Sequence, residues 1–437
     1  MDQSLTRRRA TQAAAALAAT IAAGGSIRPA RAARQDGPIA IEFWHRNEGD
    51  AAIAWEALAT RFNEEHAGEI AVTPIAQGDI AELGQKVRAA AAGGGLPGGL
   101  MADDYDVTQY AVNKIIVPFD PYLNDPEIGL TEEEQADFLP SQLNRHKLDL
   151  YDGQTMAFPQ GFSAFTCYWN VDALAAAGVD GPPATWQEFP DHARAVGAAN
   201  PGMAGWLIGG AGDRFISTLL THGVSWLKPS REESNFDAPE ALEIMTWWKE
   251  LADEGLLAVP ADPARDAFIG GQCAYWMDSS GNTAEFTRVI TDFAWDCGLP
   301  PQGANNPDPV TETYGPINTL PATDEATQRA AWLWFKWLTT PAPLAEWVMA
   351  TNYFPSVRSV AESPELQEYY ANNERAAKLV REVAPLARIL DPSPALVEVR
   401  GQLTANAVNE VLLGRLSPED GMRQLKAEAD DAIQRAG

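Results

Sequence analysis

The sequence predicts an α/β protein with two sheet-based domains. Strand-like and helix-like segments alternate between Ile39 and Met101, the pattern of a doubly wound domain with a mostly parallel sheet. A length of 437 residues exceeds what one core usually holds and suits two domains of ordinary size. An aromatic and β-branched strand, Phe165–Trp169, follows Pro159 and Gly161, which let the chain swing from one compact body to another.

The first 32 residues have the composition of a secretory signal peptide, which is not part of the fold. The basic stretch Thr6–Arg9 precedes a short apolar run, Ala13–Gly25, and Ala30–Ala32 supplies a small-x-small cleavage site. The paired arginines suggest twin-arginine export, so we expect a periplasmic or otherwise extracytoplasmic protein. A retained membrane anchor is the weaker alternative, because the apolar run is too short to span a bilayer.

The first domain is predicted from the alternation of short apolar runs and amphipathic segments. A polar loop, Arg46–Asp50, follows the first strand, and an acidic loop, Asp103–Asp106, follows the third. Ligands of doubly wound sheets settle at the carboxyl ends of the strands, so both loops are candidate binding loops. The predicted strands are Ile39–His45, Ile70–Ile75 and Gly99–Met101, and the predicted helices are Ala51–His66 and Asp79–Ala92.

The second domain is predicted to begin with the strand Phe165–Trp169. Thr185 and Glu188 have the spacing of a capping box and predict a helix start there. Further strands are predicted at Ala204–Ile208 and Ala294–Leu299, and further helices at Asp172–Ala177, Asp213–His222, Pro239–Glu254, Ala395–Leu413 and Pro418–Gln434. A helix is also predicted at Gln328–Leu338, outside this domain.

Composition excludes several classes of function. A formal charge of -28 argues against binding of nucleic acid or an anionic membrane. The sequence has no G-x-S-x-G elbow, no phosphate-binding G-x-x-x-x-G-K-[ST] loop and no H-E-x-x-H or C-x-x-C motif, so we predict no cofactor, no metal and no enzymatic activity. A glycoside hydrolase stays open as the weaker alternative, because 60 acidic residues offer many carboxylate pairs.

The three cysteines allow two interpretations. Cys273 and Cys297 both lie in strand-like runs and are able to pair in an oxidising compartment. Two free, buried thiols are an equally good interpretation, since geometry decides between them.

Short motifs spread along the chain resemble one family. The segments Phe43–Gly49, Tyr105–Phe119, Tyr168–Leu174 and Tyr353–Ser356 are similar to the family 1 extracellular solute-binding proteins, the soluble receptors of ABC importers for sugars and related polyols. Within that family the likeness is greatest to the branch that binds glycerol 3-phosphate.

The resemblance implies a periplasmic-binding-protein-like fold of type II, with a ligand cleft between two lobes joined by hinge crossings. It places residues 33–160 plus 312–345 in the N-terminal lobe and residues 161–311 plus 346–437 in the C-terminal lobe. The implied function is that of a monomeric receptor, which binds a sugar or polyol and delivers it to the permease subunits of an ABC transporter.

The resemblance also proposes binding residues. Those carried over by position are Glu48, Asp79, Asp106, Ser163, Ser279, Ser280, Gly315 and Tyr353. Sugars require flat aromatic surfaces beside carboxylates and hydroxyls. Trp44, Trp276 and Trp206 lie near strand ends and are the aromatic candidates, with the first two preferred.

One departure from the family bears on the ligand. The glycerol-3-phosphate branch grips its phosphate with an arginine in a late segment, where this chain has Arg388 out of place and Asp391 close to the expected position. A buried dianion without a guanidinium is poorly compensated. We therefore expect a neutral mono- or oligosaccharide, with glycerol 3-phosphate or another phosphorylated polyol as the alternative.

Overall fold

The computed structural model describes residues 37–260 and 264–436, so the predicted signal peptide lies outside the described residues. The strands are β1 Ile39–His45, β2 Ile70–Ala76, β3 Gly99–Ala102, β4 Ile116–Val117, β5 Gly161–Asn170, β6 Ala204–Leu207, β7 Leu257–Ala258, β8 Cys273–Ser279, β9 Trp295–Gly298, β10 Thr311–Tyr314, β11 Ile317–Pro321, β12 Phe354–Pro355 and β13 Ala387–Arg388.

Helices connect almost all of these strands. They are α1 Gly49–Glu65, α2 Ile80–Gly93, α3 Asp104–Val112, α4 Asp120–Leu123, α5 Glu132–Asp137, α6 Pro140–Leu143, α7 Val171–Ala176, α8 Phe189–Ala199, α9 Ala211–Thr221, α10 Pro239–Asp253, α11 Ala264–Ile269, α12 Asn282–Val289, α13 Glu325–Leu338, α14 Pro341–Thr351, α15 Arg358–Ala361, α16 Pro364–Asn372, α17 Glu374–Glu382, α18 Leu396–Glu398, α19 Ala405–Leu412 and α20 Pro418–Ala436.

The first sheet has the strand order β2-β1-β3-β11-β4. β1 runs parallel to β2 and β3, as the alternating pattern predicts, while β11 returns late in the sequence and pairs antiparallel with β3 and β4. The carboxyl ends of β1, β2 and β3 therefore meet at one edge. The loops that leave this edge, together with the first turns of α1, α2 and α3, face the same space.

The second sheet is organised around β5. Its strand order is β13-β10-β5-β8-β6-β7, with β9 and β12 also paired to β5. All ten residues of β5 are buried, because sheet neighbours flank the strand and helices cover both faces. Just before β5, Phe158 exchanges backbone hydrogen bonds with Asn318 of β11 (2.8 and 3.0 Å), which fixes the crossing from the first sheet to the second.

Each sheet has its own hydrophobic core, and the two cores define the two lobes. Leu344, Trp347 and Leu366 belong to the first core, so α14 and α16 pack on the first sheet, whereas β10 pairs with β5 in the second. The positions at which the chain passes from one lobe to the other therefore differ from the predicted boundaries at 311/312 and 345/346. We infer that the first lobe comprises residues 37–160 plus 316–372.

The acidic segment after β3 is helical rather than a loop. Asp103 is extended (φ -94°, ψ 159°) and stands at the N-cap of α3, while Asp104 and Asp106 occupy its first turn. Carboxylates in the first helical turn are stabilised by the exposed N–H groups there, so the acidic run starts a helix. By contrast, the helix predicted from Thr185 begins at Phe189.

The three cysteines, Cys167, Cys273 and Cys297, are all free and buried, which decides between the two interpretations of the cysteine pair. Burial raises the pKa of Cys273 and of Cys297 to about 12, so neither thiol ionises at neutral pH. We expect no reaction of the native protein with a thiol-specific chromogenic reagent, and reaction of all three cysteines after unfolding in urea. Rapid modification without denaturant would contradict this arrangement.

Candidate functional site

A cleft of about 890 Å³ is lined by residues of both lobes. The first lobe contributes the segments after β1, β2 and β3, and the second contributes β5, the end of β8, the end of β10 and the late helices. Seven of the ten preferred candidates line it, namely Glu48, Asp79, Ser163, Trp276, Ser279, Gly315 and Tyr353.

The other three candidates do not line the cleft. Trp44 lies on β1, where its indole N–H donates to Glu42 (2.8 Å). Ser280 is fully buried, and its hydroxyl accepts the backbone N–H of Ala164 (3.1 Å). Asp106 is 6% exposed within α3, where burial, then the neighbouring Asp103, raises the pKa of its carboxyl to about 7. Trp206, the third aromatic candidate, is fully buried in the second core.

The first-lobe wall is built from side chains that hold one another. Arg46 donates from Nε and Nη2 to the two carboxylate oxygens of Asp103, both at 2.9 Å. Asp79 caps α2 by accepting the N–H of Glu82 (2.9 Å). Glu48 precedes α1 without capping it, so its carboxylate remains available to a ligand.

Serines and a glycine form the centre of the second-lobe wall. The Ser279 hydroxyl donates to Ser163 Oγ (2.8 Å), joining β8 to β5. Gly315 follows β10 with φ +100°, a conformation that favours glycine. A Cβ there would lie 3.2 Å from the Ser163 nitrogen and 3.4 Å from the Tyr353 ring. The glycine therefore lets the chain cross closely between these two candidate residues.

A buried charge network lies beside these serines. Arg214 donates to the Tyr314 hydroxyl (2.6 Å) and to Asp278 (2.5 Å). Arg400 pairs with Asp213 (2.5 Å) and with Glu312, and Ser217 also donates to Glu312 (2.5 Å). Burial raises the pKa of Glu312 although Arg400 opposes that shift, so this carboxylate depends on its guanidinium partner.

Arg400 owes its position to a break in helical geometry. The segment predicted as one helix, Ala395–Leu413, contains a π-helical stretch, Val399–Thr404, between α18 and α19. Single π-helical turns often occur at functional sites. Gly212 packs directly on this stretch, since a Cβ on it would lie 2.1 Å from the Arg400 carbonyl oxygen.

Arg388 is out of place, as the sequence predicts, but the cleft does not lack guanidinium groups. Arg388 lies on β13 and donates to the carbonyl of Pro385 (2.9 Å) outside the cleft. The cleft instead contains Arg46, Arg214 and Arg400. Arg46 lies in the polar loop that the sequence already marked as a candidate binding loop, whereas Arg214 and Arg400 have only a weak signal, a charged residue beside glycine in Gly212-Asp213 and Arg400-Gly401.

The charge balance of the cleft is negative. Each arginine that lines it is ion-paired with a carboxylate: Arg46, Arg214, Arg265, Arg288 and Arg400. Among the residues that the structure describes, nine acidic ones line the same space, namely Glu48, Asp50, Asp79, Asp103, Asp104, Asp213, Asp278, Glu285 and Glu312. Several of them stand at helix N-termini, where they occupy the positions that would otherwise attract an external anion.

Aromatic side chains complete the walls. Tyr105 of α3 contacts the second core, and the Arg400 guanidinium lies 5.4 Å from its ring centroid. The Tyr314 ring lies 5.6 Å from the same guanidinium. Trp276 packs against Tyr168 (5.5 Å) and is 2% exposed, so it offers the cleft only an edge.

Within 37–260 and 264–436, no group of three or more His, Cys, Asp or Glu side chains is placed to hold a metal ion. None of the helices in these ranges combines the length and the apolar character that a membrane crossing requires.

Comparison with solved structures shows the fold. UgpB from Mycobacterium tuberculosis in complex with glycerophosphocholine has a TM-score of 0.81 at 21% identity, covering 91% of this chain and 99% of that one. A cyclic α-maltosyl-1,6-maltose binding protein from Arthrobacter globiformis has a TM-score of 0.75 at 20% identity, covering 91% and 100%. These likenesses confirm the predicted two-lobe architecture.

Sequence comparison shows the family. The sn-glycerol-3-phosphate-binding periplasmic protein UgpB of Yersinia enterocolitica is 26% identical over 368 residues, which are 78% of this chain and 80% of that protein. The protein of the same name from Rhizobium meliloti is 25% identical over 427 residues, or 90% and 92%. The family model described as bacterial extracellular solute-binding protein matches residues 57–374, and the chain belongs to this family of ABC-transporter binding proteins.

Proposed function

We propose that this binding protein carries a neutral carbohydrate, a mono- or oligosaccharide, to the permease of its ABC transporter. The observation that supports this ligand most is the pairing of every cleft arginine with a carboxylate. Such pairs present donors and acceptors side by side, which suits hydroxyl groups that both donate and accept. The carboxylate of Glu48 adds an acceptor without a matching cation.

A phosphate dianion fits this balance less well. Its desolvation requires an excess of positive charge, and each guanidinium that it reached would have to share its hydrogen bonds with a carboxylate of the protein. Around Arg214 and Arg400 the buried wall holds Asp213, Asp278 and Glu312, so the local charge is already negative. The pairing of the cleft arginines with carboxylates, rather than a missing arginine, is therefore the reason to expect a neutral ligand.

One observation favours a second candidate, a phosphorylated polyol. Arg214 and Arg400 lie on the same wall as Ser163 and Ser279, and the Nε atom of Arg214 is buried with no hydrogen-bond partner among the described residues. A phosphodiester, which carries one charge, would demand less compensation than a dianion and would offer that N–H an acceptor. Relatives named for glycerol 3-phosphate and glycerophosphocholine are consistent with this candidate.

The proposed mechanism is a clamp. The ligand contacts both lobes only when they are closed, so binding favours the closed form by the difference in contacts between the two states. Closure also removes water, which strengthens the hydrogen bonds between ligand hydroxyls and wall carboxylates. We propose that the site comprises the seven cleft-lining candidates together with Arg46, Arg214 and Arg400.

Isothermal titration calorimetry against a matched panel tests the ligand. We expect heat from members of a neutral panel of glucose, maltose, maltotriose and raffinose, and none from glycerol 3-phosphate. Binding only of glycerol 3-phosphate or glycerophosphocholine would overturn the carbohydrate proposal in favour of the second candidate. Conversion of any bound oligosaccharide to product would replace the receptor by the hydrolase alternative.

The variant Ser279→Ala tests whether the second-lobe wall binds the ligand. Ser279 joins β8 to Ser163 and lines the cleft, so we expect affinity for the ligand found above to fall by about 1 kcal/mol, or about fivefold. Ser230→Ala, at an exposed serine outside the cleft, is the matched control and should leave affinity unchanged. Equal affinity in both variants would remove Ser279 from the site.

We further propose that the chain is exported by a cleaved twin-arginine signal and acts as a monomer outside the cytoplasm. The paired arginines, the short apolar run and the cleavage site before residue 33 support this proposal. Replacing Arg8 and Arg9 by lysine should retain the protein in the cytoplasm. N-terminal sequencing of the exported form and its mass by light scattering check the cleavage site and the monomeric state.

A further inference from the structure

One ion pair joins the two lobes at the solvent-exposed rim of the cleft. Asp50 stands in the first turn of α1, and Arg288 in the last turn of α12, 238 residues away, donates from Nη1 to its carboxylate. Both residues line the cleft. Helix α1 packs in the first core through Trp55, Leu58 and Phe62, whereas α12 packs beside β5 through Phe286. The pair therefore joins two separately packed bodies, near the place where α12 also approaches α14 of the first lobe.

Asp50 and Arg288 are each stabilised by the helix that carries them. A carboxylate in a first turn and a guanidinium in a last turn are both favoured by the helix dipole, so neither depends on the other for its charge or position. Asp50 raises the pKa of Arg288, consistent with a direct pair. The nearest further acid, Glu285, is engaged by Arg265 (3.2 Å), which leaves Arg288 to Asp50.

A second contact between the lobes lies deeper in the cleft, between Tyr105 and Arg400. The two contacts differ in their exposure to solvent. The side chains of Arg288 and Asp50 are 60% and 49% exposed, so dissolved salt reaches them. The deeper contact, between Tyr105 and Arg400, involves an arginine side chain that is 7% exposed. Salt therefore weakens the outer contact and leaves the inner one largely intact.

We propose that the Asp50–Arg288 pair ties the lobes together across the cleft rim, holds a fraction of the ligand-free protein closed, and must break before ligand enters or leaves. The tie makes closure sensitive to ionic strength. The tie does not depend on which solute the cleft binds, because the ion pair forms without a ligand.

The distance between the lobes measures the tie directly, without a ligand. Ala57 of α1 and Asp292, just after α12, are exposed, and the three native cysteines are buried, so cysteines introduced at these two positions take up nitroxide labels selectively. Pulsed electron paramagnetic resonance on the full chain then gives the populations of short and long separations. At about 20 mM salt we expect a short-distance population in the doubly labelled protein.

Arg288→Gln should lower the ratio of short to long separations about two- to fivefold, the effect of losing one exposed ion pair. Adding 1 M NaCl should lower the ratio of the parent protein by a similar factor and leave that of Arg288→Gln unchanged. Arg423→Gln, which removes an exposed arginine paired with Asp420 on α20, is the matched control and should behave as the parent does.

Three results would overturn the tie: equal short-distance populations in the parent and in Arg288→Gln at low salt, an equal response of both to NaCl, or an equal loss in Arg423→Gln. Since no ligand is present, these outcomes are independent of whether the carbohydrate proposal holds. With the ligand found by calorimetry, stopped-flow release from Arg288→Gln should be two- to fivefold faster than from the parent.

Discussion

Arg400→Met should destabilise the protein by about 3–5 kcal/mol at pH 7.5, because it leaves the buried carboxylate of Glu312 without its main cation and also removes the partner of the partly exposed Asp213. Methionine keeps the length and apolar stem of the side chain, so lost packing contributes little. The measurement is urea unfolding followed by tryptophan fluorescence, comparing midpoints at equal slope. Ligand affinity should fall as well, since Arg400 lines the cleft.

Removing the charge of Glu312 tests whether Arg400→Met loses stability for an electrostatic reason. The double variant Arg400→Met with Glu312→Gln should recover part of the stability, because the stranded carboxylate is then neutral. Lowering the pH from 7.5 to 5 should shrink the deficit of the single variant, since protonation of Glu312 removes the same charge. A deficit that is independent both of pH and of Glu312 would show that Arg400 acts through packing alone.

Asp106→Asn should stabilise the protein at pH 8 by about 2–4 kcal/mol and have almost no effect near pH 4. Burial, then Asp103, raises the folded-state pKa of Asp106 from 3.8 to about 7. Both states are protonated below pH 3.8, so the carboxyl then costs nothing. As the pH rises towards 7 the unfolded chain releases the proton first, and stability is lost. Above pH 7 the full penalty of a buried charge remains.

Asp104→Asn is the matched control with the opposite sign. Burial alone would raise the pKa of Asp104, but Arg145 and His146 outweigh it and hold that pKa below its ordinary value. Its contribution to stability is present at neutral pH and lost as the pH falls, so Asp104→Asn should destabilise the protein at pH 8. If both substitutions changed the unfolding midpoint in the same direction, the assignment of the two pKa shifts would be wrong.

The sequence was most informative where local pattern and tertiary structure agree. Alternating apolar runs located β1, β2, β3 and the helices between them to within a few residues, because one face of each element must meet the core. It failed at the acidic segment after β3, since a polar run looks alike in a loop and in a first helical turn. It could not place Ser280 and Asp106 relative to the cleft, because neighbours distant in sequence decide which way a side chain points.

The arginines of the cleft illustrate the same limit. Arg214 and Arg400 are separated by 186 positions, and the packing of α9 on the π-helical stretch brings both guanidinium groups beside the Tyr314 ring. No local sequence pattern indicates that two residues so far apart in sequence lie close together in the fold. A chain read in order therefore yields its strands and helices more readily than the polar clusters that form between them.

The late return of β11 has a consequence for biosynthesis. This strand lies between β3 and β4, so a chain still being synthesised has an unpaired edge in its first sheet until residues 317–321 have emerged from the ribosome. An incomplete first sheet presents free backbone groups that invite pairing with other chains. The topology therefore leaves this edge open to wrong pairing until roughly three quarters of the chain has been translated, which favours protection of the nascent chain by a chaperone.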